Sequence, residues 1–312
     1  MRYQNYMRSY ISERRAFGFQ LKCEERYLLK FAKFADQGNF SRLEPAHFLD
    51  WKEVYGNASL QTWKARLSVY RGFVSWLLEY EPETVVPPKS LIQAPPRRRP
   101  RSYIYSQSEI DRLLKEAMRL RSTLGLRRLA IHSLISLIHV TGLRINEALA
   151  LTYEDFNFEK NVVWVRDSKI KEERLVTFRE KTSALLKSYF AETSRLVENR
   201  PSKFFVVENG RYVTEHTARY SFSQISQQIG LRKAALYFKH GQGPRIHDLR
   251  HTFAVNVLIE ATRDGRDIDE AVFRLCTILG HKDLDSTYYY LQSVPELMKL
   301  VSKQTSSLEL AQ

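Results

Sequence analysis

The chain has 312 residues, of which 43% are hydrophobic and 27% charged, and its formal net charge is +14. That length suits two domains with cores of their own, and no apolar run is long enough to predict a membrane-spanning helix. The opening Met1-Arg2-Tyr3-Gln4-Asn5-Tyr6-Met7 lacks the apolar stretch of a secretory signal. Cys23 and Cys276 fit neither a disulfide framework nor a metal-ligand spacing, and are expected as buried thiols in a reducing cytoplasm.

The first hundred residues read as helices. Arg2 to about Phe17 and Glu24 to about Asp36 carry apolar residues at three-and-four spacing, among them Tyr27, Leu28, Phe31, Phe34 and Ala35. A short helix is expected after Glu44-Pro45, because proline suits a first helical turn. A long one follows from about Ser59 to Tyr80, with Leu60, Trp63, Leu67, Tyr70, Phe73, Val74 and Leu77 on one stripe. The polar faces carry Arg8, Arg14, Arg15, Lys64, Arg66 and Arg71. Residues 1–102 hold 18 Lys/Arg against 10 Asp/Glu, so positive charge is densest there. A polyanion, and nucleic acid first among them, is the expected partner of this surface.

Residues 81–102 break the helical pattern, and 86–102 read as an extended linker. Pro82, Pro87, Pro88, Pro95, Pro96 and Pro100 prevent regular helix, and Arg97, Arg98, Arg99 and Arg101 crowd its end. A spacer needs no such charge, whereas a strap lying on a duplex gains affinity with each phosphate it neutralises.

A second domain opens at Ser106-Gln-Ser-Glu109, a capping box ahead of a helix to about Leu120. Residues 127–140 read as a buried helix. Val162–Val165 and Arg174–Phe178 read as a β-hairpin, and Phe204–Val207 as one more strand. Helices are expected over 180–197, 214–229, His247 to about Ala261 and Asp269 to about Leu279, with a short amphipathic one over 296–301.

Four stretches of this second part carry the chemistry. They are Thr141-Gly-Leu-Arg-Ile-Asn-Glu147, Ser168-Lys-Ile-Lys-Glu-Glu-Arg174, His247-Asp-Leu-Arg250, and Leu279-Gly-His281 followed by Tyr288-Tyr-Tyr290. A tyrosine that attacks a phosphodiester must expel an alkoxide while charge builds on the non-bridging oxygens. Guanidinium forks match two such oxygens, and a lysine or histidine can protonate the leaving group. No acidic cluster of the two-metal type and no phosphate-cradling glycine loop is evident.

In order and spacing these stretches resemble the boxes of the tyrosine recombinases, the phage-integrase family that includes the Xer resolvases and transposon integrases. The resemblance covers residues 103–295 closely and the N-terminal helices only in kind. It implies a mainly α protein with a small β-sheet (α+β). A helical DNA-binding, or core-binding, domain would span 1–85, a mixed α/β catalytic domain 103–293, and a tail helix 294–312.

The family's roles carry over position by position. Tyr290 would form a 3′-phosphotyrosyl link and Arg144 and Arg250 would clamp the phosphate. Lys169 would protonate the 5′ oxygen, His247 would assist proton movement at the nucleophile, and His281 would hydrogen-bond the phosphate. Lys171 competes with Lys169 for its place. Spacing from His281 selects Tyr290 among the three tyrosines, since successive helical residues point about 100° apart. Glu147 reads as a structural partner, His251 as structural on another face, and Phe253 and Trp164 as core. The resemblance implies double-stranded DNA as substrate, a homotetramer on paired sites, DNA contacts from Lys64, Arg66, Arg71 and the linker arginines, and no cofactor or membrane partner. A type IB topoisomerase shares the chemical kit, and a DNA-binding regulator with a decayed site is the rival from another class.

Overall fold

The computed structural model describes residues 1–96, 102–166, 173–207, 210–233 and 243–293. It divides into two compact units at Pro100–Arg101.

The first unit is four helices: α1 (Arg2–Ala16), α2 (Glu24–Gln37), α3 (Pro45–Tyr55) and α4 (Leu60–Leu77). Pro45 opens α3 at its first turn, and the Ser59 hydroxyl caps α4 by accepting from the Thr62 amide at 3.2 Å. The core is aromatic: Phe31 meets Tyr70 edge-on at 4.5 Å, and Trp51 meets Trp63 at 5.4 Å. Leu60, placed on the apolar stripe by its spacing, stands exposed at the first turn of α4. Cys23, expected buried, is exposed at the N-cap of α2, ahead of the first residue that faces the core. Residues 86–96 do not run free of this unit: Ile92 is buried in its core, and Arg71 Nη1 donates to the Pro87 carbonyl.

The second unit contains α5 (Gln107–Ala117), α6 (Leu126–Thr141), α7 (Ile145–Ala150), α8 (Glu180–Leu196), α9 (Glu215–Gln228), α10 (Asp248–Arg263), α11 (Ile268–Leu279) and α12 (Asp285–Ser293). Ser106 and Glu109 form the capping box of α5. A three-stranded antiparallel sheet, β1 (Phe156–Asn157), β2 (Val162–Arg166) and β3 (Glu173–Thr177), has the order β1-β2-β3. One core gathers α5, α6, α8, α9 and the inner face of the sheet; a second lies among α10, α11 and α12.

Strand alternation corrects the reading of Trp164 as core. Val163, Val165 and Val176 point inward, so Trp164, paired with Leu175, points out and is 44% exposed, its Nε1 donating to Glu173. Residues 204–207 form no strand. Phe204, Phe205 and Val206 are buried, but among the described residues their pairing stays local: the isolated bridge Val206↔Tyr212, with Val207 N donating to Arg211 O and Phe204 N to Leu151 O, while Val206 N donates to the Tyr189 hydroxyl. The expected helix over 296–301 lies outside the described residues. No described helix is long and apolar enough to cross a membrane.

Candidate active site

Four helix ends build the site. Helix α6 stops at Gly142, which takes the left-handed conformation (φ 66°) as its C-cap; a Cβ there would run into Phe253 and Leu279. The chain turns at once into α7, with Arg144 at the N-cap. Its amide and its Nη1 donate to the two Glu147 carboxylate oxygens at 2.9 and 2.7 Å, as the three-residue spacing predicts. The second fork nitrogen, Nη2, donates to the Gly280 carbonyl at 3.0 Å.

Arg250, in the first turn of α10, is 2% exposed. Its Nη1 donates to Gly142 O at 2.8 Å and its Nη2 to Leu279 O at 2.7 Å. Those carbonyls end α6 and α11, where a helix has acceptors to spare and a negative dipole end. Burial, and then the nearby Arg144, pull the Arg250 pKa down to about 10, which leaves it a cation at neutral pH.

Arg174 closes the set from β3. Its Nε donates to Ile278 O and its Nη2 to Glu147 Oε2, both at 2.7 Å. Burial works against ionisation of Glu147, but hydrogen bonds from Arg174 and Arg144 outweigh it and hold the carboxyl below its ordinary pKa. Three guanidiniums thus surround one carboxylate, and the pocket keeps a positive excess suited to a phosphodiester.

Helix α11 ends on Gly280, also left-handed (φ 62°), where an added Cβ would lie 2.8 Å from Arg174 Nη1. His281 follows, its Nδ1 2.7 Å from Thr287 Oγ1. On α12, Tyr290 is 3% exposed and its ring stacks with that of His281 at 6.2 Å between centroids. Burial raises its pKa, while the charge of Arg250 works the other way. Of the neighbouring tyrosines, Tyr288 is turned away, its hydroxyl donating to Asp269 at 2.7 Å, and Tyr289 is half-buried.

His247 is the N-cap of α10, with its ring edge-on to that of His251 at 4.8 Å. His251 departs from its sequence reading, since its Nδ1 lies 3.1 Å from the Tyr290 hydroxyl. The signal was its position four residues after His247, which puts both rings on one helical face. Arg174 was the other residue missed. Burial comes first and neighbouring positive charge second in depressing His247, His251 and His281, each to about 4, so all three are neutral near pH 7.

The structure therefore brings together Arg144, His247, Arg250, His281 and Tyr290. Lys169, its rival Lys171, and Arg97, Arg98, Arg99 and Arg101 lie outside the described residues. In the helical unit Lys64 is exposed, whereas the Arg66 guanidinium stands 4.5 Å from the Trp63 ring centre and 4.7 Å from that of Tyr55. Arg71 is engaged with Pro87.

Comparison with known proteins identifies the family of the chain. Residues 104–296 match the model of the phage integrase family. A putative integrase/recombinase of Sinorhizobium fredii, y4rB, is 32% identical over 298 residues, covering 94% of this chain and 93% of the relative. Tyrosine recombinase XerD of Oceanobacillus iheyensis is 29% identical, covering 85% and 82%. Among solved structures, the XerH site-specific recombinase bound to palindromic difH substrate aligns with a TM-score of 0.62 at 21% identity, over 88% of this chain and 76% of that one. The Tn1549 transposon integrase in complex with a circular intermediate DNA also gives 0.62, at 15% identity, over 92% and 94%. The two-glycine turns, the buried arginine at the start of α10 and the tyrosine of α12 stand where these matches run, and the chain belongs to the phage integrase family, the tyrosine recombinases.

Proposed function

We propose that this recombinase cuts and rejoins DNA strands at a specific site through a 3′-phosphotyrosyl intermediate on Tyr290. The observation that carries the reading is the burial of the Tyr290 phenol among His251, His281 and Arg250, with Arg144 joined to the same turn. On attack, negative charge on the non-bridging oxygens meets the guanidiniums of Arg144 and Arg250, both fixed by main-chain carbonyls before substrate arrives. Arg144 is the more accessible of the two, its side chain 38% exposed. Lys169 protonates the departing 5′ oxygen, His281 hydrogen-bonds the phosphate, and His247 assists proton movement on the nucleophile's side. Because the phosphotyrosine keeps the energy of the broken bond, rejoining to a new partner strand needs no ATP.

The helical unit supplies sequence-independent contacts to the phosphate backbone through exposed basic residues such as Lys64, together with the arginines of 97–101. The enzyme acts in the cytoplasm as a homotetramer on two paired duplex sites; XerH and the Tn1549 integrase, solved with DNA, and a lambda integrase tetramer bound to a Holliday junction have the same fold.

A plasmid carrying two copies of the chain's binding site tests the reading, incubated with the protein in EDTA without ATP. Excision or inversion of the intervening segment is expected. Relaxation of supercoils without exchange would mark a topoisomerase, and tight binding with neither product would mark a regulator.

A further inference from the structure

We propose that His251 is a catalytic residue that takes the phenol proton of Tyr290 as the tyrosine attacks phosphorus. The inference rests on the strand-transfer reading above and adds a group to it that the motif positions leave out. Tyr290 must lose its proton to become a competent nucleophile, and burial makes that loss to solvent harder. The phenol therefore needs an acceptor inside the pocket. His251 Nδ1 is at 3.1 Å, within the range for direct transfer.

The neighbouring histidines are differently engaged. His281 places its Nδ1 on the Thr287 hydroxyl, and His247 packs edge-on against the His251 ring itself. With the hydroxyl donating to Nδ1, the His251 proton sits on Nε2, so the ring is the tautomer that accepts from tyrosine. Burial first, and then the charge of Arg250, disfavour a second proton on it at rest, so at neutral pH the ring is uncharged with Nδ1 open to accept. Transfer would be repaid electrostatically once the phosphorane charge develops beside it.

The step balances. The Tyr290 Oη–P bond forms as P–O5′ breaks; the phenol proton passes to His251 Nδ1, and the 5′ oxygen takes its proton from Lys169. In rejoining, the 5′ hydroxyl attacks phosphorus as its proton passes back to the neutral Lys169, the Tyr290 Oη–P bond breaks, and His251 returns its proton to the departing phenolate.

The test follows adduct formation by the full-length chain on a duplex selected from a random pool by binding, nicked a few nucleotides 3′ of the cleavage point. His251→Ala is expected to slow the adduct by about 100-fold or more, and free imidazole should restore it in proportion to its unprotonated fraction. His251→Asn keeps an acceptor near the place of Nδ1 but no base, and it should be similarly slow while melting within a few degrees of wild type. Wild-type rates in His251→Asn, or a slow His251→Ala with no imidazole response, would overturn the proposal and leave His251 a positioning residue. If the wild-type chain itself forms no adduct, the strand-transfer reading fails first, and this assignment falls with it.

Discussion

Arg174 donates from Nη2 to Glu147 Oε2 at 2.7 Å while its Nε holds the Ile278 carbonyl at the same distance. One side chain of β3 thereby ties the carboxylate that orients Arg144 to the end of the helix that presents His281. The site is a set of helix termini bolted together by guanidiniums, and its predicted failures follow from that.

Glu147→Gln keeps the shape but removes the anion that three arginines share. Unpairing a buried ionic cluster by deleting one partner costs about 3 kcal/mol or more. Urea unfolding should show a lowered midpoint with an unchanged slope, and adduct formation should fall even under conditions where the variant is fully folded.

Arg174→Lys retains the charge but not the fork, and a single ammonium cannot reproduce both bonds along the same directions. Binding to DNA should persist, and adduct formation should drop about tenfold, the scale of losing roughly one hydrogen bond to a charged group. An unimpaired rate would show that the β3 contact does not position the site.

Gly280→Ala places a methyl group in a left-handed conformation and against Arg174. The backbone cost alone is about 1 kcal/mol. Displacement of Arg174 should add a loss of activity larger than that of Gly265→Ala, a left-handed glycine with open space at its Cβ.

Acidification should destabilise the second unit in a defined window. His247, His251 and His281 have folded pKa values near 4, below the ordinary 6.5, so the unfolded chain takes up protons first. Their contribution is complete above about pH 6.5 and declines as pH falls from there toward 4. The groups facing His251 are His247, Arg250, His281 and Tyr290. His251→Asn should flatten part of that decline in melting temperature.

Lys64 and Arg66, both basic and both on α4, should separate. Lys64→Ala should reduce the salt dependence of DNA binding by about one unit of slope, as expected for one lost phosphate contact. Arg66→Ala should mainly cost stability, about 1 kcal/mol, because its guanidinium packs on Trp63 and Tyr55.

The helices were legible because their apolar periodicity is strong and several carry their own caps, as Ser106 and Glu109 do for α5. That Tyr290, and not Tyr288, turns in toward His281 agrees with the spacing that the family resemblance pointed to. What escaped depended on tertiary placement. Trp164 looks like core by composition, and only the register that turns Val163 and Val165 inward puts it outside. Arg174 closes on Glu147, 27 positions away, and on Ile278, 104 positions away; no local pattern marks that. In sequence His251 reads as structural because it follows Arg250, whereas its match in phase is His247, one turn earlier.

The most direct measurement of the central claim is a covalent trap in EDTA on a nicked duplex site, with the denaturant-resistant adduct digested and its DNA-bearing peptide sequenced by mass spectrometry. The account predicts a phosphotyrosine at Tyr290 and no adduct from Tyr290→Phe. An adduct at Tyr288 or Tyr289, or one that persists in Tyr290→Phe, would contradict it.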